Sequence, residues 1–182
     1  MKKLHVVLII SLILLADQLL KIYIKTSFTY GMVHPVFGDW FKLQFVENPG
    51  MAYGMKFGGD WGKLALTLFR VGAVIFGVFY INKIIRLHYH KGFILCVALI
   101  FAGALGNLID SCFYGVIFDK GLDPSTGTAY AGLAAFSSNG YGSFLHGNVV
   151  DMLHFPLFSG HFPGWMPIWG GEEFEFFSPV FN

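Results

Sequence analysis

Four ionisable side chains lie within or beside strongly apolar stretches of the sequence, where a charge is costly to place. Asp17 and Lys21 are four residues apart, so on a helix they would share one face. Asp110 closes the run GALGNLID, three residues after Asn107. Asp151 is the single carboxylate in the apolar stretch VVDML. Desolvation should raise the pKa of Asp151 unless a donor or cation compensates, so this group is held either for structure or for chemistry.

Each of these groups also has a purely structural interpretation. Asp17 and Lys21 could form an interfacial ion pair, with Lys21 extending its ammonium group towards water. Asp110 could cap a helix or mark an interface between elements. Arg70, near the start of another apolar run, is expected to anchor that run at the membrane boundary. The functional interpretation is that Asp17 and Lys21 orient a site at the boundary where the apolar run leaves the membrane on its outer side.

A glycine-rich segment and a histidine pair are the other patterns that could bind a ligand. NPGMAYG at 48–54 lacks the GK[ST] ending of a phosphate loop, so a tight turn presenting Asn48 is the better interpretation. His146 and His154 lie near Asp151, but the sequence has no HExxH pattern and no compact set of three ligands. We therefore predict no metal site.

The composition is that of a small integral membrane protein. The chain has 182 residues, of which 55% are hydrophobic and 13% are charged. Soluble domains carry about 25% charged residues, so a globule of this composition could not cover its surface with polar groups. A net charge of +1 argues against a nucleic-acid partner, and two cysteines cannot form a disulfide framework. Residues 1–182 are expected to form a single integral membrane domain.

Three apolar runs must position the polar groups, at about residues 4–24, 64–81 and 93–109. At about 1.5 Å per residue, each approaches the thickness of the hydrocarbon layer, and a helix satisfies its own backbone hydrogen bonds in lipid. The expected fold class is an all-α membrane bundle. In the third helix, Gly103 and Gly106 should allow close contact with a neighbouring helix.

Basic residues predict the orientation of these helices. Two lysines precede the first helix, and the link 82–92 holds three further basic residues, whereas Lys120 is the only one after residue 92. By the positive-inside rule, the N-terminus and the link are cytoplasmic, and segments 25–63 and 111–182 are outside. Alternation in the first of these segments, as in WFKLQFVEN, indicates a small β-rich part, and the aromatic residues of the second fit an interfacial layer.

Five motifs occur in the order seen in lipoprotein signal peptidase, or signal peptidase II. They are DQLLK (17–21), NPGMAYG (48–54), GALGNLID (103–110), VVDMLHF (149–155) and PVFN (179–182). Each alone is weak evidence. Together, on the predicted topology, they make the chain resemble this family over nearly its whole length.

The resemblance implies a four-helix aspartic endopeptidase of the bacterial inner membrane, multi-pass and with its active site at the outer face. Such an enzyme removes the signal peptide of a prolipoprotein just before a diacylglyceryl-modified cysteine, without a metal or other cofactor. The substrate and membrane lipid are the implied partners, and a monomer is expected. Asp151 matches one catalytic aspartate. The supporting residues that match family motifs are Asp17, Lys21, Asn48, Gly50, Asn107, Asp110 and Asn182.

The sequence departs from the family pattern in three places. The arginine expected directly after Asp110 is Ser111, and the stretch from Ser111 to Val150 is much longer than usual. The family's last motif continues past Asn182 to a second catalytic aspartate, three positions later, and to a fourth helix. An aspartic peptidase needs two carboxylates that share one proton, and Asp110 is a poor substitute for the second. These 182 residues alone are therefore expected to have little or no peptidase activity.

Two other functions are compatible with the same residues. A small transporter or channel would also place polar groups at membrane depth, but it should show repeated or broken helices and a polar pathway across the bilayer. A structural subunit of an envelope complex would use the aromatic outer segment for docking. Substitution of Asp151 by asparagine separates the peptidase from both, because only a peptidase would lose cleavage of prolipoproteins.

Overall fold

Three long helices form the membrane part of the protein. The computed structural model describes residues 1–49, 59–123, 126–156, 158–161, 163–165, 171–176 and 180–182. The helices are α1 (Lys3–Ser27), α2 (Gly59–Arg86) and α3 (Lys91–Ile117). All three are long and apolar enough to cross a membrane. Together with a small antiparallel sheet they confirm the predicted fold class.

The helices are longer than the apolar runs from which they were predicted. The link between α2 and α3 shrinks to residues 87–90, and α3 continues through 110–117, part of which was expected to lie outside the membrane. Asp110 and Ser111 interrupt the apolar run, but both are buried against neighbouring elements rather than exposed. Hydropathy alone ends the helix too early because it does not distinguish a polar residue facing lipid from one facing protein.

Helix α3 lies between the other two and packs extensively against both. A Cβ atom added at Gly106 would lie 2.5 Å from Oδ2 of Asp17, so the glycine is what lets α1 approach α3 this closely. Among the described residues, no atom of another element lies within 4 Å of the position where a Cβ atom of Gly103 would be, so Gly103 makes no such contact with α1 or α2. The two positions are three residues apart and therefore about 60° apart around the helix.

A four-stranded antiparallel sheet covers one end of the bundle, in the order β1-β2-β3-β6. Its strands are β1 (Val33–Phe37), β2 (Phe41–Asn48), β3 (Val149–His154) and β6 (Val180–Phe181). The remaining strands, β4 (Phe158–His161) and β5 (Glu173–Phe176), pair with each other. The β1–β2 hairpin lies where alternation predicted strands, but β3, which carries Asp151, was not predicted as a strand.

The connecting segment, residues 118–148, folds back onto the last two turns of α3. Backbone N–H groups of Gly142 and Gly147 donate to the carbonyls of Gly115 and Ser111, each at 2.8 Å. These bonds occupy carbonyls near the end of the helix, several of which have no partner within the helix itself. A Cβ atom at Gly147 would lie 2.1 Å from the Asp110 carbonyl oxygen, so only glycine permits this approach. The chain thus enters β3 directly beside Asp110.

Candidate active site

A buried ion cluster joins α1 to α3. The Lys21 Nζ lies 2.7 Å from Oδ2 of Asp110 and 3.2 Å from Oδ2 of Asp17. It also donates to Oδ1 of Asn107 at 3.2 Å. Lys21 is 1% exposed and Asp110 0%, so the cluster is desolvated and depends on the completeness of its pairing. The expectation of a Lys21 side chain reaching to water is therefore wrong.

Asp110 connects this cluster to β3. Its Oδ1 accepts from Nε2 of Gln18 at 2.9 Å, and its Oδ2 accepts from the backbone N–H of Val150 at 3.3 Å as well as pairing with Lys21. Both carboxylate oxygens are therefore occupied by protein donors. This arrangement fixes the position of β3 one residue before Asp151, and it leaves Asp110 little capacity to act on a bound molecule.

Asp151 lies in β3 opposite Val46 of β2 and is 8% exposed. Asn182 donates a hydrogen bond from Nδ2 to Oδ1 of Asp151 at 2.8 Å. Burial raises the pKa of Asp151 to about 6, although hydrogen bonds from Asn182 and Asn48 and the charge of Lys21 partly oppose that rise. A carboxyl group with such a pKa can exchange a proton near neutral pH.

A line of hydrogen bonds connects the ion cluster to Asp151. Lys21 donates to Oδ1 of Asn107, whose Nδ2 donates to Oδ1 of Asn182 at 3.4 Å. Asn182 in turn donates to Asp151. Each amide accepts on one side and donates on the other, so the line has a single direction. It ends with a donor on the Asp151 carboxylate and therefore favours its ionised form.

The structure thus brings together most of the residues singled out from the sequence. Asp17, Lys21, Asn107 and Asp110 form the cluster, and Asn182 joins it to Asp151. Asn48, at the end of β2, pairs with Val149 of β3, two residues before Asp151. Gly50 and most of the NPGMAYG motif lie outside the described residues.

Arg70 contacts the same region from α2. Its Nη1 donates to Oγ of Ser111 at 2.6 Å, and this hydroxyl donates to the Asn107 carbonyl at 2.9 Å. Arg70 therefore bonds to the residue that directly follows Asp110, whereas the sequence indicated a membrane anchor. The Arg70 guanidinium group, which belongs to α2, thus reaches Ser111, the position of α3 at which the family pattern has an arginine.

A second buried ion pair, between Lys25 of α1 and Glu47 of β2, was missed in the sequence. Glu47 also accepts hydrogen bonds from Tyr130, Asn148 and the N–H of Leu122, at 2.8–3.0 Å. These donors belong to the connecting segment, which is thereby fixed to β2. The alternation of WFKLQFVEN places Glu47 on the same face as buried Phe45, and this signal could have identified it.

The aromatic surroundings of Lys25 complete this second cluster. Its Nζ lies 5.1–5.9 Å from the ring centres of Phe45, Phe118, Tyr130 and Tyr141. Rings at these distances attract a cation. Burial raises the pKa of both tyrosines, so their hydroxyl groups remain protonated donors at physiological pH. Tyr141 accepts from the N–H of Asn148, at 2.7 Å.

The histidine pair lies in two different surroundings. His146 bonds to Ser143 and to the Phe144 carbonyl, whereas His154 lies in β3 opposite Lys42. Across the described part of the chain, no three His, Cys, Asp or Glu side chains lie close enough to hold a metal ion.

Comparison with known proteins identifies a family for this arrangement. The family model described as "Signal peptidase (SPase) II" matches residues 9–182. A lipoprotein signal peptidase of Porphyromonas gingivalis (strain ATCC 33277) is 47% identical over 177 residues, covering 96% of this chain and 73% of the relative. A lipoprotein signal peptidase of Amoebophilus asiaticus is 34% identical over 172 residues, covering 91% of this chain and 65% of the relative.

A solved structure described as a bacterial membrane enzyme has the same fold. It superposes with a TM-score of 0.55 and 20% identity, and the alignment covers 98% of this chain and 76% of that chain. At this identity the likeness supports the fold alone.

Proposed function

Since this chain belongs to the signal peptidase II family, whose members remove signal peptides from prolipoproteins, we propose that Asp151 is one of its two catalytic carboxylates. The family decides against the transporter and the structural subunit considered from the sequence. The observation that carries the assignment of Asp151 is its combination of burial, a raised pKa of about 6 and a directed line of hydrogen bonds from Lys21.

The proposed chemistry needs two carboxyl groups that share one proton. The ionised group removes a proton from water as the water oxygen attacks the scissile carbonyl carbon, and the protonated group gives its proton to the carbonyl oxygen. Collapse of the tetrahedral intermediate then breaks the C–N bond, and the leaving nitrogen takes up a proton. Asp151 is suited to such a pair because its raised pKa allows it to hold or release a proton at neutral pH.

Asp110 has a positioning role in this proposal. Its two oxygens are engaged by Gln18, Lys21 and the Val150 N–H, so it fixes β3 rather than acting on water. We propose that the partner aspartate belongs to the family motif that Asn182 opens. The hydrogen bond from Asn182 to Asp151 holds Asn182 beside the site, which supports this proposal.

We further propose the orientation and substrate class that fit this site. The chain spans a bacterial inner membrane with its N-terminus on the cytoplasmic side. The site lies at the outer face of that membrane, where water is available. The substrate is a prolipoprotein cut just before a diacylglyceryl-modified cysteine, and the enzyme acts as a monomer in contact with membrane lipid. All three helices can cross a membrane, and the sheet covers one end of the bundle, beside the site.

The experiment that tests the assignment is Asp151→Asn in a protein that extends through the family's last motif. We expect cleavage of a lipid-modified prolipoprotein to fall by at least about a thousandfold, because a neutral amide cannot take a proton from water. Asp39→Asn is the matched control, since Asp39 is an exposed carboxylate in the β1–β2 turn. Undiminished cleavage by the Asp151 variant would reject the assignment.

A further inference from the structure

An apolar groove runs between α1 and α2 over the surface of α3, at the end of the bundle away from the sheet. It encloses about 310 Å³, and its walls are mainly aliphatic, with Val7, Ile10 and Leu14 on one side and Ile81 and Ile85 on the other. From Lys3 to Leu14 the groove follows α1 over twelve residues, a rise of about 16 Å along the helix axis.

The groove opens into a second, cationic cavity. This cavity encloses about 420 Å³ and shares Lys3, Asn82 and Ile85 with the first. Phe79, Lys83 and Arg86 complete its wall. The sequence has no Asp or Glu before Asp17 or between residues 61 and 109. Within the described residues, none of Lys3, Lys83 and Arg86 forms an ion pair with a carboxylate.

We propose that the two cavities together form a binding site for an anionic glycerophospholipid. The phosphate lies among Lys3, Lys83 and Arg86, and one acyl chain follows the groove towards Leu14. Only an amphipathic anion uses both parts, because a neutral lipid leaves the cations unpaired and a free phosphate leaves the apolar groove empty. Cationic pockets between membrane helices suit lipid headgroups for the same reason.

This lipid site is separate from the candidate active site. Leu105, which lines the groove, and Asn107, which belongs to the line of hydrogen bonds to Asp151, differ by two positions on α3. Two positions correspond to about 200° around the helix, so the groove and the active site lie on opposite faces of α3. The proposal therefore does not depend on the peptidase activity.

The test measures retention of phosphatidylglycerol and phosphatidylcholine by the purified chain, using native mass spectrometry from mixed-lipid nanodiscs. The variant Lys3→Gln/Lys83→Gln removes two cations that line the cavity, and Lys2→Gln/Lys91→Gln removes two at the same end that do not. Each cation should contribute about fivefold to the affinity for an anionic headgroup. The first variant should therefore bind phosphatidylglycerol about 25-fold more weakly. The control should lose less than about threefold, and phosphatidylcholine retention should not change.

Two further experiments test whether the apolar groove is needed and whether the cationic cavity binds a whole phospholipid or only a soluble phosphate. Val78→Trp fills the groove without a change of charge and should also release phosphatidylglycerol. Glycerol 3-phosphate should not compete. Equal losses in the two lysine pairs, retention by the Val78 variant, or competition by the soluble phosphate would each overturn the proposal. Thermal melts of every variant in the same detergent verify that the fold is intact.

Discussion

At the scale of single residues, neighbouring donors decide what each aspartate can do. Asp110 and Asp151 are both buried carboxyl groups in apolar stretches of sequence. Asp110 has protein donors on both oxygens, including the Lys21 ammonium group. Among the residues that the structure describes, Asp151 forms no ion pair with a cation. Amide donors only partly compensate its desolvation, and its pKa rises to about 6. Sequence context is similar in the two cases, and their hydrogen-bond partners distinguish the positioning role proposed for Asp110 from the catalytic role proposed for Asp151.

Asp151 should make stability depend on pH in a defined window. Its folded pKa of about 6 exceeds the ordinary value of 3.8, so the folded state holds the proton more strongly. The free energy of unfolding should therefore fall as the pH rises from about 4 to about 6, by at most about 3 kcal/mol. We expect Asp151→Asn to stabilise the protein at pH 8 and to have little effect at pH 4, in thermal melts in detergent. A pH-independent effect would contradict this account.

Asn182 should tune the pH dependence of cleavage. Its Nδ2 donates to Asp151, which favours the ionised carboxylate. In the protein used for the Asp151→Asn test, Asn182→Ala should move the acidic limb of the pH–rate profile upwards by about one unit, because one hydrogen bond to a charged group is lost. Asn139→Ala, at an exposed position in the connecting segment, is the control and should leave the profile unchanged.

At the scale of elements, close packing of α1 against α3 assembles the site. Gly106 is the contact point, and Lys21, Asp17 and Asp110 form their ion cluster beside it. Because Asp110 also accepts from β3, this one packing contact sets the relation between two helices and the sheet. Glu47 does the same for the connecting segment, which it fixes to β2.

Two glycines of α3, Gly103 and Gly106, provide a matched pair for testing this packing. Gly106→Ala should destabilise the 182-residue chain by about 1–3 kcal/mol, because the new methyl group meets the Asp17 carboxylate. Gly103→Ala has open space and should be neutral or stabilising by up to about 1 kcal/mol, as alanine favours helix. Unfolding in detergent–SDS mixtures measures both; equal effects would mean that close approach of α1 is not the cause.

Breaking the Lys25–Glu47 pair should release the connecting segment. Glu47→Gln leaves the Lys25 ammonium group buried without its counter-charge, at a cost of about 3–5 kcal/mol. We expect faster proteolysis within residues 118–148, read by mass spectrometry. The double variant Lys25→Met/Glu47→Leu should restore part of the protection because it removes both charges. Unchanged cleavage in Glu47→Gln would show that the segment is held by other contacts.

At the scale of the whole molecule, charge is separated along the bundle. All acidic residues lie outside the stretches 1–16 and 61–109. The end of the bundle that carries the α2–α3 link has Lys3, Lys83 and Arg86 in the lining of its cavity, which contains no acidic residue. The sheet and the polar clusters occupy the opposite end. The positive-inside rule uses the Lys and Arg part of this separation, and in the proposed orientation the site, which needs water, lies at the outer face.

The orientation can be measured by labelling of single cysteines. His88→Cys in the α2–α3 link and Asn139→Cys in the connecting segment are introduced after replacement of Cys96 and Cys112. In intact cells from which the outer membrane has been permeabilised, a membrane-impermeant maleimide should label position 139 and not position 88. Disruption of the inner membrane should then expose both. Labelling of position 88 alone in the intact cells would reverse the orientation.

The sequence by itself determined the protein class, the three helices and most of the residues that meet at the site. Hydropathy and the motifs are properties of residues that are close together in the sequence, so they can be recognised before the fold is known. Only the tertiary structure decided which groups pair: Val150 bonds to Asp110 across 40 positions, and Asn148 bonds to Glu47 across 101. The strand β3, the Lys25–Glu47 pair and the line from Lys21 to Asp151 arise from such distant contacts, whose energies depend on shared burial.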